Sequence, residues 1–197
     1  MQDMLSPPKG RLHIHRVDGE IWTPVAGPIQ NTVLYDWGFI AAKALGHGEA
    51  TYRINAMYIE FANVVAPGNA ASIPTFSRDE GVSYYNSLSG SNDYLRVPLI
   101  GLPSITIETG FESFFTAGVD GNLLTFHAQT AGTTGVKGLT FSDTANSKIF
   151  GGALVAAPVF ADSTQDIVFS RSYFASADQT LKQASSQVGI TWELPFV

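Results

Sequence analysis

The sequence predicts a mainly β protein. It reads as one β-sandwich or jelly-roll-like domain over residues 11–197, with an extended N-terminal arm at 1–10 and one amphipathic helix near 31–45. Three observations lead there. From Thr51 onward, short apolar runs are separated by Gly, Pro, Asn and Asp, the punctuation of strands and turns. In the closing segment Val188, Ile190, Trp192, Leu194 and Phe196 alternate with Gly189, Thr191, Glu193 and Pro195, the period of a strand with one buried face. The chain has 197 residues, 45% of them hydrophobic and only 14% charged, enough for one sizeable core.

Each element follows from its residues. Pro7 and Pro8 remove backbone donors and hold the arm extended, and its Met1, Met4 and Leu5 have no local partner to bury against. "RLHIHRV" reads as a strand with Leu12 and Ile14 on one face and His13 and His15 on the other. Asp18-Gly19 makes a turn, and Pro24, Gly27 and Pro28 are expected to interrupt the chain again. Val33, Leu34, Trp37, Ile40, Ala41, Ala44 and Leu45 form one stripe at helical spacing, with Asn31 as N-cap and Gly46 just past the end. The remaining runs are read as strands: "TYRINAMYIEFANV", "LRVPLIG", "SITIE", "FESFF", "NLLTFHAQ", "GVKGLTF", "IFGGALVAAPVF", "QDIVFSRSYF" and "SQVGITWELPF".

Composition narrows the function classes. The net charge of −6 and the lack of a basic stripe argue against direct nucleic-acid binding. With no cysteine, thiolate nucleophiles, disulfides and Cys-based metal sites are excluded. The N-terminus lacks the basic and apolar regions of a secretory signal, and no apolar run reaches membrane-spanning length, so no membrane partner is expected. A surface with so few charges suits an assembly, and a homo-oligomer is expected.

Few residues carry recognisable chemistry. "HIHRVDGE" places His13 and His15 on one strand face with Glu20 after them, and Gly27 follows at the spacing of the first metal motif of cupins, which it resembles. Pro7 stands where that motif expects a glycine. The second motif is missing, since His47 and His127 have other surroundings. "SLSGS" at Ser87–Ser91 is a loop composition and not a strand–turn–helix nucleophile elbow. Glu60, Asp79, Glu80, Glu108 and Glu112 supply carboxylates, but spacing pairs none of them for glycosidase chemistry. Glu60 shares a strand face with Ala56, Tyr58 and Ala62, opposite Met57, Ile59 and Phe61. It is expected to pair with Arg53, Arg78 or Arg96 as a structural residue. No catalytic, metal or cofactor site is assigned.

"AMYIEFANV", then "RDEGVSYYNSL" and "DYLRVPL", and later "KIFGGALVAAPVFADSTQDIVFSRSYF" and "SSQVGITWELPF", resemble small virion structural proteins of tailed bacteriophages. The likeness covers roughly Tyr52–Arg96 and Ser147–Phe196. It implies a place in a virion among copies of the chain and other virion proteins, on the capsid surface, at the neck or in the tail. It implies no catalytic residue. The expected contacts lie in the arm (Leu5, Pro7, Pro8, Arg11) and the following loop (Arg78, Asp79, Tyr84, Tyr85), because Arg and Tyr are enriched at interface centres. Two other readings stay open: a carbohydrate-binding β-sandwich using Trp22, Trp37 and Trp192, and a cupin-like metalloenzyme using His13, His15 and Glu20.

Overall fold

Period-two alternation becomes two antiparallel sheets. The computed structural model describes residues 10–33, 43, 46, 48, 52–61, 94–130, 148–159, 165–174, 179–181 and 187–196. The strands are β1 (Arg11–Asp18), β2 (Ile21–Gln30), β3 (Thr32–Val33), β4 (Ile54–Phe61), β5 (Tyr94–Pro98), β6 (Ser104–Thr106), β7 (Leu123–Gln129), β8 (Lys148–Ala156), β9 (Ile167–Tyr173), β10 (Thr180–Leu181) and β11 (Gln187–Pro195). Sheet I has the order β2-β1-β11-β7-β6. Sheet II has the order β3-β9-β8-β4-β5, with β10 also paired to β8.

One core joins them. Leu12 and Ile14 of β1, Phe126 of β7 and Ile190 and Trp192 of β11 pack with Met57 and Ile59 of β4, Leu154 of β8 and Phe169 of β9. The contact is close at Gly152 of β8. A methyl group there would lie 3.6 Å from Leu12 Cδ1 and 3.7 Å from Trp192 Cζ3. A larger residue at 152 would push the sheets apart, so the second glycine of "FGGAL" is a packing residue. Trp192 is fully buried, as the alternation of β11 predicts.

Both edges of the sheets are stitched by chain that crosses between them, a device for turning corners between packed sheets. At one side β2 passes through Asn31 into β3, and the Asn31 N–H donates to the Gly10 carbonyl at 3.1 Å. At the other side β5 runs on into Leu99, which bridges to Ala128 of β7, while the Ile100 N–H donates to the His127 carbonyl at 2.7 Å.

Several expectations change. The helix does not start at Asn31, because Thr32 and Val33 pair with Arg171 and Ser170 in sheet II. The cross-strand partner, distant in sequence, outweighs a local helical stripe. Most of 31–45 beyond Val33, like arm residues 1–9 and the run "GVKGLTF", lies outside the described residues. Pro24, Gly27 and Pro28 do not interrupt the chain. They sit within β2, which is an edge strand where a missing N–H is tolerated. "FESFF" is a series of turns rather than a strand, with the Phe114 N–H donating to the Phe111 carbonyl at 3.0 Å. The β1–β2 turn is placed correctly. Asp18 pairs with Ile21 across Gly19-Glu20, and Gly19 adopts φ 65°.

Candidate functional site

Four features stand out, and each is built by strand register. The first lies on the face of sheet II away from the shared core. That face is buried too: Ala56 and Tyr58 of β4, Ala153 and Val155 of β8 and Val168 of β9 form a second apolar cluster. Two ion pairs are set into it. Glu60 accepts two hydrogen bonds from Arg171, at 2.9 Å from Nε and 2.7 Å from a terminal nitrogen. Asp166 accepts from Arg96 at 2.5 and 2.6 Å and from the Tyr58 hydroxyl.

The geometry explains the choice of partner. Tyr58 pairs with Ala153, and Ala153 pairs with Arg171, while Glu60 pairs with Gly151. A guanidinium on β9 therefore crosses β8 where its side chains are smallest and reaches the carboxylate on β4. Glu60 is paired with an arginine, as the sequence reading has it, but the partner among the described residues is Arg171; of the arginines expected, Arg78 lies outside those residues. Arg96 is committed to Asp166. Each carboxylate is held on both oxygens, so its charge is neutralised by an arginine that stays protonated.

The second feature is a surface chain of charge. Arg11 of β1 faces Glu193 of β11 in register and donates to it through Nε at 2.9 Å. Its terminal nitrogens donate to Glu108 at 2.9 and 2.7 Å. His13 Nε2 lies 3.5 Å from the same Glu193. Arg11 thus fastens the start of β1 to the segment that follows β6.

The third feature covers the outer face of sheet I. His13 and His15 point the same way, as the strand reading predicts, and their ring centroids are 6.5 Å apart. His127 of β7 joins them through Trp22 of β2, whose ring centroid is 5.4 Å from His15 and 5.9 Å from His127. The indole lies over Gly189 of β11, so close that a methyl group at 189 would have to displace it. Glu20 is away from this group, exposed at the β1–β2 turn. Among the described residues no three His, Asp or Glu side chains converge in a way that could hold a metal ion. Burial holds His15 below the ordinary histidine range, helped by His13 and His127. Burial likewise lowers His127, against the pull of Glu193.

The fourth feature is apolar and exposed. Between Leu99 and Asn122 the chain leaves sheet II, adds β6 to sheet I and returns through turns. Five of the nine large hydrophobics exposed among the described residues lie here: Ile100, Leu102, Ile105, Phe114 and Val119. Leu102, Phe114 and Val119 are each at least 75% exposed. The segment carries Glu108, Glu112 and Asp120 and no Lys or Arg. Beside it opens a cleft of about 500 Å³, lined by Leu99, Leu102, Pro103, Leu124 and Phe126, with Arg53 at its wall.

No family model, curated protein or solved structure matches the chain.

Of the contact residues expected from sequence, Arg11 is half-buried and engaged within its own chain by Glu108 and Glu193. Leu5, Pro7, Pro8, Arg78, Asp79, Tyr84 and Tyr85 lie outside the described residues. Of the tryptophans proposed for sugar stacking, Trp192 is buried in the core, Trp22 is seated over Gly189, and Trp37 is outside the described residues. Sequence reasoning missed Asp166, Arg171 and His127. No local signal marks them, because Arg171 is 111 residues from Glu60 and Asp166 is 70 from Arg96.

Proposed function

We propose that the chain is a non-enzymatic structural protein of a tailed-phage virion and that it works through subunit–subunit assembly. In this reading the two sheets are a β-sandwich scaffold, jelly-roll-like in outline, and the sites that matter are contact surfaces. The observation that carries the reading is the exposed segment Ile100–Val119, whose large apolar side chains are concentrated beside an open apolar cleft. Exposed apolar surface gathered in one segment marks an interaction site. Repeated around a ring or lattice, even a modest contact of this size is multiplied by valency. The motifs that resemble those of small virion proteins support the same reading. So does the fate of the buried carboxylates Glu60 and Asp166, each held by an arginine in a structural pair.

Particles of the phage that encodes the chain can test this. An antibody against the recombinant protein should detect it in the particle band of a density gradient at a fixed ratio to the capsid protein. Detection only in the soluble fraction of the lysate would overturn the proposal.

A further inference from the structure

We propose that His15, His127 and the indole of Trp22 form an acid-sensitive latch that holds the edge strand β2 on sheet I at neutral pH and releases it on mild acidification. The proposal does not depend on the assembly reading above.

The latch stands on geometry. Three of the four histidines gather on one face of one sheet. Trp22 leaves the edge strand β2, passes over β1 and comes to rest on Gly189 of β11, between the rings of His15 and His127. It ties β2 to two strands beyond its own neighbour. β2 is an edge strand paired to β1 alone in sheet I, its register with β1 shifts on both sides of Ile14, and most of its residues are exposed.

Protonation attacks that seat directly. Both ring nitrogens of His15 are buried and have no hydrogen-bond partner. A proton added there creates a buried N–H and a charge with no acceptor. His127 uses Nδ1 on the Thr191 hydroxyl at 3.2 Å, so its charge would sit on the other side of the same indole.

The charged surroundings can be named strand by strand. β1 contributes Arg11 and His13, with Arg16 and Asp18 paired to each other at 2.9 Å. β11 contributes Glu193, β7 contributes no charge besides His127, and β2 contributes none. The anions of these strands are both already bound, Glu193 by Arg11 and Asp18 by Arg16. The sign follows. His15 and His127 have a lower proton affinity folded than unfolded. Their contribution to stability is complete above the ordinary histidine value of about 6.5. It is lost as the pH falls through their lower folded values, because the unfolded chain takes up protons first.

The experiment uses the full chain. The four histidine rings are titrated by nuclear magnetic resonance, and amide exchange is followed by mass spectrometry at about pH 7.5 and about pH 5, where carboxylates stay largely ionised. His15 and His127 should titrate below about 6.5. Exchange in Ile21–Ala26, corrected for its intrinsic pH dependence, should rise severalfold at the lower pH, ahead of β11. His15→Phe and His127→Phe should each reduce that rise. Titration of either ring at or above the ordinary value, as a cation–π contact with Trp22 would favour, overturns the proposal. So does exchange that stays constant or rises equally in β1, β2 and β11. If a variant fails to fold, the wild-type titration and exchange decide alone.

Discussion

Arg171 on β9 reaches across β8 to Glu60 on β4 and binds it with two hydrogen bonds, the two side chains being only 4% and 1% exposed. The pair ties three strands together on a largely apolar face that also holds the Arg96–Asp166 pair. Losing one member leaves the other a buried charge stripped of the two hydrogen bonds between them.

Removing either member should therefore be costly. Glu60→Gln or Arg171→Met should destabilise the domain by about 3–5 kcal/mol, and Glu60→Leu combined with Arg171→Met by much less. In a chain of this length each kcal/mol moves the midpoint by about 2–4 °C. Thermal melting of the three variants checks this. Single variants that melt like the wild type would show that the pair is solvated.

Trp192 is the largest fully buried side chain of the core and touches sheet II through Gly152. Trp192→Ala should cost about 3–5 kcal/mol. Denaturant unfolding should show a sharply lower midpoint, or soluble expression should fail. An unchanged midpoint would mean that the shared core is misassigned.

How much of this was legible in the sequence depends on how local the cause is. Most of the closing strand could be read outright, since Val188, Ile190, Trp192 and Leu194 repeat at period two and are buried, but Phe196 falls past the end of β11 and is exposed. The two faces of β1 were equally plain. Thr32–Val33 could not be read, because its strand character comes from pairing with Arg171 and Ser170. β2 was misjudged because its prolines are acceptable only on an edge, and edge position is a property of the sheet. The partner of Glu60 was hidden for the same reason. Arginines at 53, 78, 96 and 171 look alike until register places Arg171 across small residues. The Trp22 seat had one local clue, the glycine at 189 in an otherwise large-residue strand.

Gly189→Ala should disturb the outer face of sheet I. The added methyl occupies space filled by the Trp22 ring, which must swing away. A variant carrying Gly189→Ala should be less stable, with a red-shifted tryptophan emission. Adding Gly189→Ala to a Trp22→Ala background should cost much less, because the two residues are coupled. Equal costs in both backgrounds would show that the two do not meet.

Deleting Met1–Lys9 should leave the domain folded. The deletion stops before Gly10, which is buried and whose carbonyl accepts from Asn31. Circular dichroism and melting should match the full chain, while association weakens because the apolar Met1, Met4 and Leu5 are gone. Unfolding on deletion would place the arm in its own domain's core.

Sedimentation velocity of the purified chain tests the central claim most directly. The wild type should sediment above the 21.1 kDa monomer at micromolar concentration. Leu102→Glu with Val119→Glu, both at highly exposed positions of the apolar segment, should sediment as a monomer with an unchanged melting curve. A wild type that stays monomeric at every concentration, or a double variant that associates as well as the wild type, would contradict assembly through this surface.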